Sequence, residues 1–219
     1  VKQYQAGLPN VNTKLHYIKH LLTERFPEAR VMVFVREKDQ AEQIARALEG
    51  PLASSVRTIH SNKGQNSRIH AMDLFREGAI RCLVSTDVAS RGIDVPETSV
   101  VINFSVPRDP HDYVHRIGRT GRAFRDGVAI TLVDPSEGYA LERIVELTST
   151  PIEPLELPEG LPIEETPRWE KQAQARTIDG EMRKRDPNYK GAFHEKKKKS
   201  AKANRPAKKG NRPPKPKRG

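Results

Sequence analysis

The sequence predicts an α/β fold, a mostly parallel sheet covered by helices on both faces in three layers, followed by an extended basic tail. Three observations carry this expectation. Short apolar runs such as Val31-Met32-Val33-Phe34-Val35 alternate with stretches whose apolar residues recur at helical spacing. Those short runs are continuously apolar, as strands buried on both faces are. Charge is also segregated: from Lys190 to Gly219 there are 13 Lys and Arg and one acid, whereas the rest of the chain holds 26 basic and 27 acidic residues.

In order, residues 1–6 predict a short strand, and Asn12 caps a helix over 13–25 with Leu15, Ile18 and Leu22 on its inner side. The strand 31–35 follows. A helix then carries Ala41, Ile44, Ala45 and Leu48 at core spacing. Residues 56–60 predict a strand, and 65–77 a helix with Ile69, Met72 and Phe75 inward. Residues 83–85, 100–102 and 128–133 predict three more strands. A helix over 136–147 turns Leu141, Ile144, Val145 and Leu147 to the core. Alternating strands and helices imply right-handed crossovers, and ligands in such sheets gather at the carboxyl ends of the strands.

After Thr150 the texture changes. Pro151, Pro154, Pro158, Pro162 and Pro167 break any long element, so 151–189 reads as a Pro-rich connector with a short helix over 168–185 anchored by Trp169. Residues 190–219 are too polar to offset ordering entropy, and disorder is expected there. The domain division is therefore 1–150, 151–189 and 190–219. The tail's lysines point to a polyanion partner. Cys82, the single cysteine, lies in an apolar run and reads as a reduced core thiol of a cytoplasmic protein. No stretch approaches the length of a membrane span. The chain starts at Val1 and reads as a fragment.

Three polar runs carry candidate chemistry. His115-Arg116-Ile117-Gly118-Arg119-Thr120-Gly121-Arg122 sets three arginines among two glycines. Arg119 and Arg122 share a helical face, and two guanidinium forks on one face suit a triphosphate. Ser85 to Asp94 follows a strand. Ser85, Thr86 and Asp87 can cap a short helix there, Gly92 allows close backbone approach, and Asp94 can accept from a sugar hydroxyl. Gln65-Asn66-Ser67-Arg68 opens a helix and suits a nucleic-acid phosphate, though ordinary capping explains it equally well. His60 reads as a hydrogen-bonded structural residue.

Together, in this order, these runs resemble the C-terminal RecA-like lobe of DEAD-box RNA helicases over about residues 1–151. Val31–Val35 is similar to the strand of motif IV, Gln65 and Arg68 to the QxxR element, Ser85 to Asp94 to motif V, and His115 to Arg122 to motif VI. The chain looks most like the bacterial members with basic extensions. The resemblance implies that Arg119 and Arg122 contact the γ-phosphate of ATP, that His115 couples the two lobes and that Arg116 braces the motif. It implies that Asp94, beside Gly92, contacts the ATP ribose, and that Gln65, Arg68 and Thr86 hold the RNA sugar-phosphate backbone. ATP and Mg2+ would be held mainly by an N-terminal P-loop lobe. Departures from the usual pattern are Glu37 in motif IV, a good cap but a poor phosphate neighbour, Ser105 in place of an Asp, and Phe124 in place of a Gly.

Neither G-x-x-x-x-G-K-[ST] nor Asp-Glu-Ala-Asp occurs in these 219 residues. The implied function is thus the second lobe of an ATP-dependent RNA helicase, inactive alone. Two other readings stay open at this point: a non-enzymatic RNA-tethering module acting through the tail, and a scaffold docking partner proteins through 151–189.

Overall fold

The computed structural model of the protein describes residues 1–50, 52–90, 98–121 and 126–191. The chain runs through β1 (Lys2–Gly7), α1 (Val11–His20), β2 (Val31–Val35), α2 (Lys38–Ala47), β3 (Val56–Ile59) and α3 (Gln65–Glu77). It continues through β4 (Cys82–Thr86), α4 (Asp87–Ser90), β5 (Val100–Asn103), α5 (Pro110–Ile117), β6 (Val128–Val133), α6 (Gly138–Thr148), β7 (Glu153–Pro154) and α7 (Arg168–Arg185). Among the described residues seven strands form a sheet in the order β3-β4-β2-β5-β6-β1-β7. Every ladder in it is parallel.

The central strand shows why the apolar runs are continuous. Val31, Val33 and Val35 pack on one face with Ile18, Leu22, Ala41 and Ile44 from α1, its continuation and α2. Met32 and Phe34 point to the other face, onto Met72 and Phe75 of α3. Each such side chain contributes roughly 1.5–3 kcal/mol on burial. Tyr113 of α5 and Leu141 and Ile144 of α6 close a third apolar cluster.

Five expectations need correction. The cap of α1 is Asn10, whose Oδ1 accepts from Thr13 N–H at 2.8 Å, not Asn12. The helix does reach Arg25, but Leu21–Arg25 is a π turn closed by Phe26 N–H donating to Leu21 O. Ile69 is 49% exposed, because the buried stripe of α3 is Ala71, Met72 and Phe75. Leu147 is likewise exposed at the end of α6.

Trp169 does not anchor α7; it is 68% exposed. The anchors are polar. Glu170 Oε1 accepts from Val11 N–H at 2.9 Å, which satisfies a free donor at the start of α1, and Gln174 donates to Pro9 O. Asn10 Nδ2 donates to Glu164 O at 2.7 Å. Leu155, Leu157 and Leu161 of the preceding extended segment pack on the α1/α2 cluster. The expected tail, apart from Lys190 and Gly191, lies outside the described residues.

Candidate functional site

Helix α5 begins at Asp109, whose carboxylate accepts from His111 N–H, and Pro110 takes the first turn, where its missing N–H costs nothing. Its spacing turns Tyr113 and Arg116 inward and leaves His115 exposed. Arg116 is 1% exposed and is the largest fully buried side chain among the described residues. A buried guanidinium is tolerable only when paired and hydrogen-bonded throughout. Here Nε and Nη2 donate to the two Asp87 oxygens at 2.6 and 2.8 Å. Nη1 donates to Asn103 Oδ1 at 3.2 Å and Ser105 O at 2.7 Å. The cation also lies over the Phe34 ring.

The end of this motif is clamped elsewhere. Thr98 N–H and Oγ1 both donate to Arg119 O at 3.0 Å, and Thr120 Oγ1 lies 2.7 Å from Thr98 O. Because Thr98 precedes β5, the Arg119 carbonyl is held beside the amino end of that strand. Gly121 turns there at φ +69°. Beneath it Gly127 passes so closely that a Cβ would stand 2.5 Å from Thr120 Oγ1. The sequence reading missed Gly127, which stands five residues beyond Arg122 with no motif around it.

Between α4 and α5 lies a cleft of about 220 Å³ lined by Phe34, Asp87, Ser90, Asp112, His115, Arg116 and Arg119. His115 and Arg119 thus meet around one cavity. Gly92, Asp94 and Arg122 lie outside the described residues, as does Phe124.

The other predicted residues sit at the carboxyl ends of β3 and β4. Gln65 is exposed at the start of α3, and Thr86 is nearly buried at the end of β4. Arg68 Nη1 donates to Gln65 Oε1 at 3.1 Å and Nη2 to Ala89 O at 2.8 Å. Ala89 belongs to α4, whose first residue, Asp87, holds Arg116. The four residues of α4 therefore tie the Gln65–Arg68 pair to the cleft. Asp87 was expected only as a capping residue; its carboxylate serves Arg116, while Ser85 Oγ donates to Thr86 O.

Several single residues resolve as structure. His60 Nε2 lies 2.7 Å from Glu42 Oε1, and that hydrogen bond holds Glu42 below its ordinary value. Burial pushes the Cys82 thiol up to about 12, which leaves it unreactive. Glu37 caps α2, with Gln40 Oε1 accepting its N–H, and Ser105 Oγ donates to the same oxygen at 2.9 Å. Among the described residues no three His, Cys, Asp or Glu gather as metal ligands, and no helix is long and apolar enough to cross a membrane.

The family described as "Helicase conserved C-terminal domain" matches residues 13–124, just over half of the chain. The E. coli DEAD-box protein SrmB, solved bound to regulator of ribonuclease activity A, is similar at 35% identity and a TM-score of 0.67; 76% of this chain and 97% of that chain are covered. The chain belongs to the DEAD-box RNA helicase family, as its helicase C-terminal domain. The ATP-dependent RNA helicase DBP8 of the yeast Vanderwaltozyma polyspora is 41% identical over 136 residues, covering 62% of this chain and 31% of DBP8. The ATP-dependent RNA helicase CshA of Listeria monocytogenes is 41% identical over 147 residues, covering 66% of this chain and 28% of CshA. The chain thus spans between 21% and 35% of the length of the curated relatives it matches, and these relatives are both bacterial and eukaryotic. The RecA-like α/β architecture is that of DEAD-box C-terminal domains.

Proposed function

We propose that this DEAD-box domain is the second lobe of an ATP-dependent RNA helicase, coupling ATP binding and hydrolysis to unwinding of RNA duplexes or remodelling of ribonucleoproteins. It is incomplete without a P-loop lobe. The observation that supports this most is the Asp87–Arg116 lock, which joins the helix behind Arg68 to the helix that carries His115 and leads into Arg119. An event at one end of α4 is thereby felt at the other.

In this reading Arg119 and Arg122 stabilise charge developing on the γ-phosphate, and His115 contacts the other lobe. Arg116 is a positioning residue; its charge is already matched by Asp87, so it holds the motif rather than the nucleotide. Asp94 and Gly92 serve the ribose end. Gln65, Arg68 and Thr86 hold the RNA backbone, where contacts carry no sequence information. The cleft offers Arg119 and His115 beside Asp87 and Asp112, which suits one end of a nucleotide. The P-loop that cradles the phosphates, and Mg2+, which supplies charge neutralisation when bound, belong to the partner lobe in this reading. The division into a lobe over 1–150, a connector over 151–189 and a basic tail over 190–219 completes the proposal. The tail supports an RNA tether and a place beside the bacterial members with basic extensions, and the buried free thiol of Cys82 supports a cytoplasmic location.

RNA-stimulated ATP hydrolysis tests the reading, measured on this chain alone and after fusion to a P-loop lobe of the same family. Silence alone with turnover in the fusion is expected, and Arg119→Ala in the fusion should cut turnover roughly 10³-fold with RNA binding retained. Unchanged turnover in that variant would remove Arg119 from its role. Activity of the isolated chain would overturn the half-enzyme reading.

A further inference from the structure

A groove of about 550 Å³ runs between α6 and α7 and shares no lining residue with the cleft beside α5. Five cationic side chains face it: Arg36, Arg108, Arg143, Arg176 and Lys184. Two carboxylates stand against them. Glu137 is buried and already bound by Lys14 at 2.6 Å as well as by Arg36 at 3.0 Å. Glu181 is shared between Arg143 at 3.0 Å and Lys184 at 2.8 Å. Arg108 and Arg176 remain exposed, with no carboxylate partner among the described residues.

A second observation concerns Gly180, in the interior of α7 and in the groove wall. Glycine there costs about 1 kcal/mol relative to alanine. A Cβ at this position would meet nothing within 4 Å, so the protein's own packing does not call for glycine. Its effect is to leave the wall bare and the backbone open to approach.

The groove's place in the fold indicates what approaches it. Arg36 follows β2, Arg108 follows β5 and Glu137 follows β6, so in this parallel sheet they gather at the carboxyl edge. Along the same edge, Thr86 ends β4 and Gln65 follows β3. Strands β4, β2, β5 and β6 are consecutive neighbours, so Arg36 stands one strand from Thr86 and about 14 Å of edge runs from Thr86 to Glu137. Helix α7 then leads directly toward the Lys/Arg-rich segment that begins at Lys190.

We infer that the α6–α7 groove binds the phosphodiester backbone of single-stranded RNA, continuing the path that Gln65, Arg68 and Thr86 begin. This rests on the reading of the lobe as RNA-binding. Guanidinium forks at several heights suit successive phosphates. Recognition is of backbone rather than bases, because the one aromatic ring in the lining, Tyr139, is already covered by the Arg185 guanidinium at 4.4 Å.

The test is equilibrium binding of the full 219-residue chain to a labelled uridine homopolymer across a salt series. Arg108→Glu/Arg176→Glu should weaken binding roughly tenfold near 0.1 M salt and flatten the slope of log K against log salt by about 1.4, the value for two lost contacts to a single strand. Gly180→Leu, which changes no charge, should weaken binding by obstructing the groove. A matched control, Arg46→Glu/Arg57→Glu, reverses two exposed arginines outside it. Groove variants that bind like this control, while Arg68→Ala weakens binding, would overturn the inference and leave the RNA-binding lobe standing. Full affinity in the Arg68 and groove variants alike would remove both readings. A groove that loses affinity for polyglutamate but not for RNA would be a peptide site, and the inference would fall.

Discussion

Two buried cations hold neighbouring carbonyls at the carboxyl end of β5 from opposite faces of the sheet. Lys14 of α1 donates to Phe104 O at 3.1 Å, and Arg116 of α5 donates to Ser105 O at 2.7 Å. Their surroundings differ. Lys14 uses its remaining donors on Glu137 at 2.6 Å and Asp134 at 3.4 Å, so its charge lies among two carboxylates, with Arg36 behind them. Arg116 has one carboxylate, Asp87, and lines the cleft with it. A compact ammonium inside a closed ring can only hold β5, β6 and α1 together. A planar fork with four fixed directions at the edge of a cavity sets the position of what surrounds that cavity. The first is a fastener and the second a gauge.

The largest effect should come from breaking the fastener. Lys14→Ala removes the cation that two carboxylates share, leaving the almost wholly buried Glu137 with Arg36 as its remaining ion-pair partner, and should cost about 3–5 kcal/mol in denaturant unfolding. The paired change Lys14→Met/Glu137→Met replaces the ions with apolar volume and should recover part of that loss. Equal losses in the single and double variants would mean that Lys14 acts through packing alone.

The gauge should respond differently. Arg116→Lys keeps the charge but cannot reach Asp87 twice while also serving Asn103 and Ser105. A stability loss of about 2 kcal/mol is expected, the scale of one or two charge-assisted hydrogen bonds. In the fusion with a P-loop lobe, turnover should fall roughly 100-fold, as a misplacement of about 1 Å does, with KM for ATP little moved. Turnover that falls only in proportion to the folded fraction would reduce Arg116 to a fastener too.

How much of this was legible follows from the range of each interaction. Strand β2 and helix α3 could be read to the residue, because five successive apolar residues or a Gly-Gln start depend only on neighbours. Asn10 was missed for Asn12 since two similar caps lay two residues apart. Trp169 was mistaken for an anchor because aromatic size normally decides burial; here α7 covers the amino end of α1, whose free N–H groups want oxygen. The cluster of arginines was visible from its composition. The pairing of Arg116 with Asp87, 29 residues away, was not, because it exists only once β4 and β5 flank β2. Residues that act through a neighbour leave little mark in sequence; Asp87, Asn103, Thr98 and Gly127 are of that kind.

The smallest effect distinguishes the two acids of the fastener by pH. Burial pushes Asp134 up, but Lys14, the Ser136 hydroxyl and N–H, and Glu137 outweigh it, and Asp134 lies below its ordinary value. Its contribution to stability is therefore complete above about pH 3.8 and is lost as the pH falls below. For Glu137, burial outweighs Lys14 and the value lies above the ordinary 4.5. Its contribution has the opposite sign: it is fully present below pH 4.5 and is lost as the pH rises through the folded value. Asp134→Asn should flatten the fall in stability on the acid side of pH 4, and Glu137→Gln should flatten the decline above pH 4.5. Each change in slope is bounded at about 1.4 kcal/mol per pH unit for one proton. Unfolding free energies at pH 2.5, 4.5 and 7 measure both. Identical pH profiles for the two variants would mean that the carboxylates titrate as one unit, and the ring around Lys14 would then have to be treated as a single shared charge.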